Sequence, residues 1–182
     1  MLEMSYGCQE KTLKSKLIAL SIAIVVFFGG FFVWQTVANS QSKNCVTVVV
    51  DYGILKNGQV EKQCIGVPAT TSALSVLDKA GYAITGTEKY GDRVACRVND
   101  LPSAISPIKV KSHRDYLETC KDMPAEFAYW AVLVKMGTDV PNPLDVSAKW
   151  NWAQTGINEV TLKPGDSIAL VFADNENVRF PQ

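Results

Sequence analysis

The feature that most constrains this chain is a run of eighteen residues without a formal charge, Leu17 to Trp34 (LIALSIAIVVFFGGFFVW). As a helix rising ~1.5 Å per residue it spans roughly 27 Å, close to the ~30 Å hydrocarbon layer of a bilayer. Backbone groups in lipid must be satisfied within the segment, which a helix achieves. Trp34 stands where an interfacial aromatic is expected, and Gln35 and Asn39 lead out into water. Lys11, Lys14 and Lys16 precede the run and only Lys43 follows closely, so the positive-inside rule puts the N-terminus in the cytoplasm. The expected organisation is a cytoplasmic tail over 1–16, a transmembrane helix or signal anchor over 17–38, a polar linker over 39–44, and an extracytoplasmic domain over 45–182. Thr36-Val37-Ala38 is also a small-x-small site, so a signal peptide cleaved after Ala38 is the alternative. Against it, the apolar run exceeds the usual 7–15 residues of a signal core. A buried core helix would carry a polar stripe, and this run has none. Anchor or signal, the rest of the chain is expected to be exported.

Cysteine placement agrees. Cys8 precedes the run, whereas Cys45, Cys64, Cys96 and Cys120 all follow it. Four cysteines in an exported domain read as two disulfides with three possible pairings. The sequential pairing, Cys45–Cys64 and Cys96–Cys120, is favoured, each bond closing a loop of roughly 20–25 residues. A zinc site fits poorly, because no CxxC is present and His113, the one histidine, has no ligand-type neighbour at metal spacing.

The exported part carries 14 basic residues (18 less Lys11, Lys14, Lys16 and Lys43) against 16 acidic (18 less Glu3 and Glu10). That balance predicts no basic face, argues against nucleic acid as a partner, and shows no electrostatic preference for any other. Catalysis also lacks a constellation. His113 has no local serine motif beside it, and Asp115, Glu118 and Asp122 read as solvated loop charges. There is no phosphate loop and no EF-hand pattern, and no cofactor or metal is implied.

Along the domain, Cys45–Asp51 and 60–67 read as strands separated by a turn containing Asn57-Gly58. A register with Cys45 opposite Cys64 needs a long loop, and a tight Asn-Gly turn would instead put Cys64 opposite Asp51. Thr70 or Thr71 is expected to cap a short helix with Ala73, Leu74, Leu77 and Ala80 on one face and Gly81 after it. Residues 82–87 are a strand or an extended link. Residues 93–99 form a half-buried strand with Cys96 inward, and 99–118 a polar loop that adds little core. Residues 126–136 are apolar on both faces, as in a central strand: Phe127, Tyr129, Ala131 and Leu133 on one, Ala128, Trp130, Val132 and Val134 on the other. Trp150 and Trp152 share one side of a short strand. Residues 160–162 and 167–172 flank Pro164-Gly165, which suits a type II turn. The sum is four to seven strands and one helix, an α+β fold with a mainly antiparallel or mixed sheet.

The order of motifs resembles a family. A strand ending in Asp51-Tyr-Gly precedes Cys64, the segment Ala73-Leu-Ser-Val-Leu-Asp-Lys-Ala-Gly81, Ala95-Cys96-Arg-Val-Asn-Asp-Leu-Pro102 and Cys120. Ala128-Tyr-Trp130, Trp150-Asn-Trp152, Gly156 and Leu162-Lys-Pro-Gly-Asp166 follow. Residues 45–173 thus look like the transcobalamin C-terminal-like domain of β-grasp type, in its cysteine-containing, exported actinobacterial form. The resemblance implies a β-grasp sheet with one packed helix. It also implies ligand contact through Tyr129 and Trp130, with Trp150, Trp152 and Gly156 as the family's tryptophan-glycine segment. Flat aromatic side chains on neighbouring strands would make a stacking platform. The implied function is capture of a small molecule, such as a corrinoid or other micronutrient, for a membrane transporter subunit. The alternative is a protein–protein module docking a membrane or envelope partner by a sheet edge or aromatic patch.

Overall fold

The structure, a computed structural model, describes residues 44–137, 149–174 and 178–181. The expected tail and span, almost all of the linker, and most of the segment between Lys135 and Lys149 lie outside the described residues. No helix among the described residues is long and apolar enough to cross a membrane.

The β-branched run Cys45–Asp51 forms strand β1. It turns through a 3-10 segment, Gly53–Lys56, into β2, Val60–Gly66. The two pair antiparallel with Asp51 opposite Val60 and Cys45 opposite Gly66. Neither expected register is realised. Thr47 stands opposite Cys64, and the Cys45–Cys64 bond runs diagonally across the ladder with Cα atoms 5.6 Å apart. The long-loop alternative is the nearer one. Asn57 takes φ 54 at the end of the 3-10 segment, so the Asn-Gly pair closes an eight-residue connection and not a two-residue turn.

After a two-residue strand β3 (Thr71–Ser72) comes the one α-helix among the described residues, α1, Ala73–Lys79. Its cap is Ser72, one residue beyond the expected threonines. The Ser72 hydroxyl accepts from the Ser75 N–H at 3.3 Å. Ala73, Val76 and Leu77 are buried, and Gly81 follows the helix as expected. Strands β4 (Ile84–Thr87) and β5 (Gly91–Val98) form a separate antiparallel ribbon. The remaining strands are β6 (Ala128–Lys135), β7 (Asn151–Trp152), β8 (Thr161–Leu162) and β9 (Ser167–Asp174). Among the described residues six strands have four residues or more, within the expected four to seven, and three further segments have two residues each. Gly165, at φ 95, makes the predicted turn before β9.

The main sheet has the order β2-β1-β9-β6-β7. β1 and β9 are parallel and the other pairs antiparallel, so the fold is α+β with a mixed sheet and one helix. β9 is the middle strand, and β6 is also interior, paired on both sides as its two apolar faces predicted. Period-two alternation sorts its residues onto two apolar faces. On one face Val46, Val48, Val50, Ile168, Leu170, Phe172, Ala128 and Trp130 meet α1 residues Val76 and Leu77 in the main core. On the other, Val49, Ala169, Val171, Ala131 and Leu133 make a second buried cluster joined by Tyr129, Trp150 and Val178.

The Cys96–Cys120 bond staples the long loop, with Cα atoms 5.7 Å apart. That loop contributes more than expected. Ile108 and Val110 are buried in the main core. The Arg97 guanidinium donates to the carbonyls of Pro102 (2.9 Å) and Glu118 (2.6 Å), tying both loop arms to β5. Buried carbonyls far from a ladder need donors of this kind.

Candidate functional site

The expected aromatic platform divides between two faces, because Tyr129 and Trp130 are adjacent on one strand and must point oppositely. Trp130 is 4% exposed in the main core. Its indole N–H donates to the Leu101 carbonyl at 2.9 Å, and its ring meets Tyr52 and Phe172 edge-on at 5.8 and 5.3 Å. Most of the ring therefore packs in the core, although Trp130 and Tyr129 both line a hollow of about 470 Å³ with Val94, Ala95, Met123, Pro124 and Glu126. Gly156 is also structural: a Cβ there would lie 2.8 Å from the Arg93 Cβ, so its role is to let two backbones approach. Tyr129, Trp150 and Trp152 do share the second face. Tyr129 is half-buried there, and burial raises its phenol pKa. Trp152 stands opposite Leu133 and is 43% exposed.

The strand register shows what lies beside these rings. One row across the sheet reads Lys62, Val49, Ala169, Leu133, Trp152. The next reads Cys64, Thr47, Ser167, Lys135. Both rows face the same side. Together they floor a groove of about 600 Å³ lined by Thr47, Val49, Lys62, Lys135, Lys149, Trp150, Ser167, Phe180 and Pro181. Three lysines converge on it, with no carboxylate among its described lining residues. Asp166, just before Ser167, is buried and already accepts from the N–H groups of Gly137 (2.7 Å) and Lys163 (2.9 Å).

This cationic groove is the feature that sequence reasoning missed. A balanced total charge said nothing about where the lysines would gather. Lys62, Lys135 and Lys149 come from β2, from β6 and from the segment entering β7, and only strand pairing brings them together. The parity of Lys62 with Val49 was the available signal, but it needs the register that Cys64 alone does not supply.

The loop charges expected to be solvated behave differently from one another. Glu118 is 3% exposed, and its carboxylate accepts from the Cys120 N–H and the Tyr116 hydroxyl, both at 2.7 Å. Cys96, Glu118 and Cys120 lie close enough to suggest a metal site, but the two sulfurs are bonded to each other. Asp122 pairs with Lys89 at 2.8 Å, which lowers its pKa. His113 is exposed and stacks on Phe127 with ring centroids 4.0 Å apart.

No family model, curated protein or solved structure matches this chain.

Proposed function

We propose that this protein is a membrane-anchored extracytoplasmic binding module that captures a small molecule, a corrinoid or another micronutrient, for a membrane transporter. The groove on the second sheet face is the observation that carries this reading. Its ~600 Å³ lies within the range of small-molecule sites. It joins aromatic side chains (Trp150, Phe180) to a few polar groups, the composition such sites have. A β-grasp identity is supported by the parallel pairing of the first and last strands at the sheet centre and by a single helix packed on one face. Export is supported by two disulfides, which persist in oxidising compartments. The site residues are revised accordingly to Trp150, Phe180, Thr47 and Ser167 with the three lysines, while Trp130 and Gly156 support the fold.

The test is a tryptophan fluorescence titration of the full chain with cobalamin and a panel of other vitamins, repeated with Trp150→Ala. Saturable quenching that the substitution abolishes is expected. A flat response across the panel in oxidised protein removes the reading.

A second reading, docking of a protein partner, draws on Met136 and Trp152. They are 51% and 43% exposed and line one hollow with Val134 and Val160. Exposed large apolar groups clustered this way mark contact surfaces. Crosslinking in membranes that recovers only monomer would count against it.

A further inference from the structure

We infer that the groove selects an anionic ligand: a flat unsaturated body carrying a carboxylate, sulfonate or phosphate. The inference rests on the groove being the binding site and adds the chemistry of what enters it. The exported part is slightly acidic in total, yet this groove reverses that sign locally. None of Lys62, Lys135 and Lys149 pairs with a carboxylate among the described residues. Other exposed cations do find partners, as Lys89 does with Asp122 and Arg93 with Glu159. Three ammoniums that meet no carboxylate among the described residues, gathered around one concavity, raise the local concentration of anions and hold them once bound.

The layout also bounds the ligand. Lys62 on β2 and Lys135 on β6 are three strand spacings apart, about 14 Å across the sheet, and offset by one row along it. Lysine stems are flexible and their ammoniums act as point charges, so they recognise charge and not a fixed planar geometry. The anionic group can therefore vary in kind. Between them lie the Thr47 and Ser167 hydroxyls and the apolar Val49, with the Trp150 and Phe180 rings at the side. A ring system can lie along that floor against an aromatic wall while its charge reaches an ammonium.

Flavin mononucleotide and riboflavin make a suitable probe pair, since they share one flat fluorescent ring and differ by a phosphate. Each is titrated into the full oxidised chain, into the triple variant Lys62→Gln/Lys135→Gln/Lys149→Gln, and into the control Lys109→Gln/Lys111→Gln, whose lysines are exposed elsewhere. Three part-exposed charge contacts together make about a tenfold difference in Kd. The phosphorylated flavin should bind about tenfold more tightly than riboflavin, and should lose that margin in the triple variant and in high salt. The control should keep it. Equal binding of the two flavins, or an undiminished margin in the triple variant, overturns the inference. If a vitamin from the panel binds at Trp150 while the phosphate confers nothing, the charge selection falls alone. If nothing in either set binds, the groove reading falls with it.

Discussion

Two tryptophans within this sequence face opposite fates, and the difference is testable. Trp130 fills the main core and satisfies the Leu101 carbonyl. Replacing it with alanine should cost about 3–5 kcal/mol, the range for a large buried aromatic. Trp150 is half-buried on the groove side, so Trp150→Ala should cost clearly less while abolishing ligand-dependent quenching. Urea midpoints of the two variants give the comparison, and a larger loss for Trp150 would contradict the assignment. Two tyrosines make the fold sensitive to alkali. Burial, then hydrogen bonding to Glu61, raises Tyr82 to about 12, and burial, then hydrogen bonding to Glu118, does the same for Tyr116. In the unfolded chain each titrates near 10. The unfolded state therefore loses these protons first, and stability present below pH 10 should drain away between about pH 10 and 12. Denaturant midpoints across that window should fall, and Tyr82→Phe should flatten part of the fall. An unchanged slope in that variant would mean the ring contributes nothing to it.

At the level of elements, local chemistry was legible and pairing was not. The β-branched run of β1, the helix ending before Gly81 and the Pro-Gly turn before β9 each follow from neighbouring residues, and each was foreseen. The cap moved from threonine to Ser72 because hydroxyl residues occupy three successive positions, Thr70 to Ser72, and only the paired β3 decides between them. β6 was expected to be a central strand because both its faces are apolar, and it does lie inside the sheet, between β9 and β7. β9 has the same character and takes the middle because it alone pairs with both β1 and β6. The long loop misled for another reason. Its polar composition hid Ile108 and Val110, which reach the core only because Cys96–Cys120 and Arg97 hold the arms down. The bond closes a segment with a sequence separation of 24. Replacing both cysteines with serine should therefore cost about 3 kcal/mol by loop-closure entropy. Amide exchange in residues 101–119 should rise before that of β1 or β9, because the loop becomes the least protected unit. Uniform loss of protection across the sheet would show instead that the loop and the core unfold together.

For the whole molecule, the charge-free run and the disulfides constrain each other. The eighteen residues before Gln35 are expected to take the chain across a bilayer, and Cys45 begins the first strand ten residues beyond Gln35. A domain whose first strand and longest loop are both held by sulfur bonds is suited to the oxidising side of that bilayer. In a reducing cytosol the same bonds would not persist, and the loop carrying Ile108 and Val110 would lose its staple. The two observations therefore predict one outcome. In intact cells, a membrane-impermeant reagent should reach a tag at the C-terminus. Cys45, Cys64, Cys96 and Cys120 should resist alkylation until a reductant is added, whereas Cys8, on the opposite side of the run, should be alkylated without one once the cells are opened. Free distal thiols with a protected Cys8 would reverse the topology. A released, shortened chain with all four distal cysteines bonded would mean cleavage after Ala38, with the exported domain unchanged.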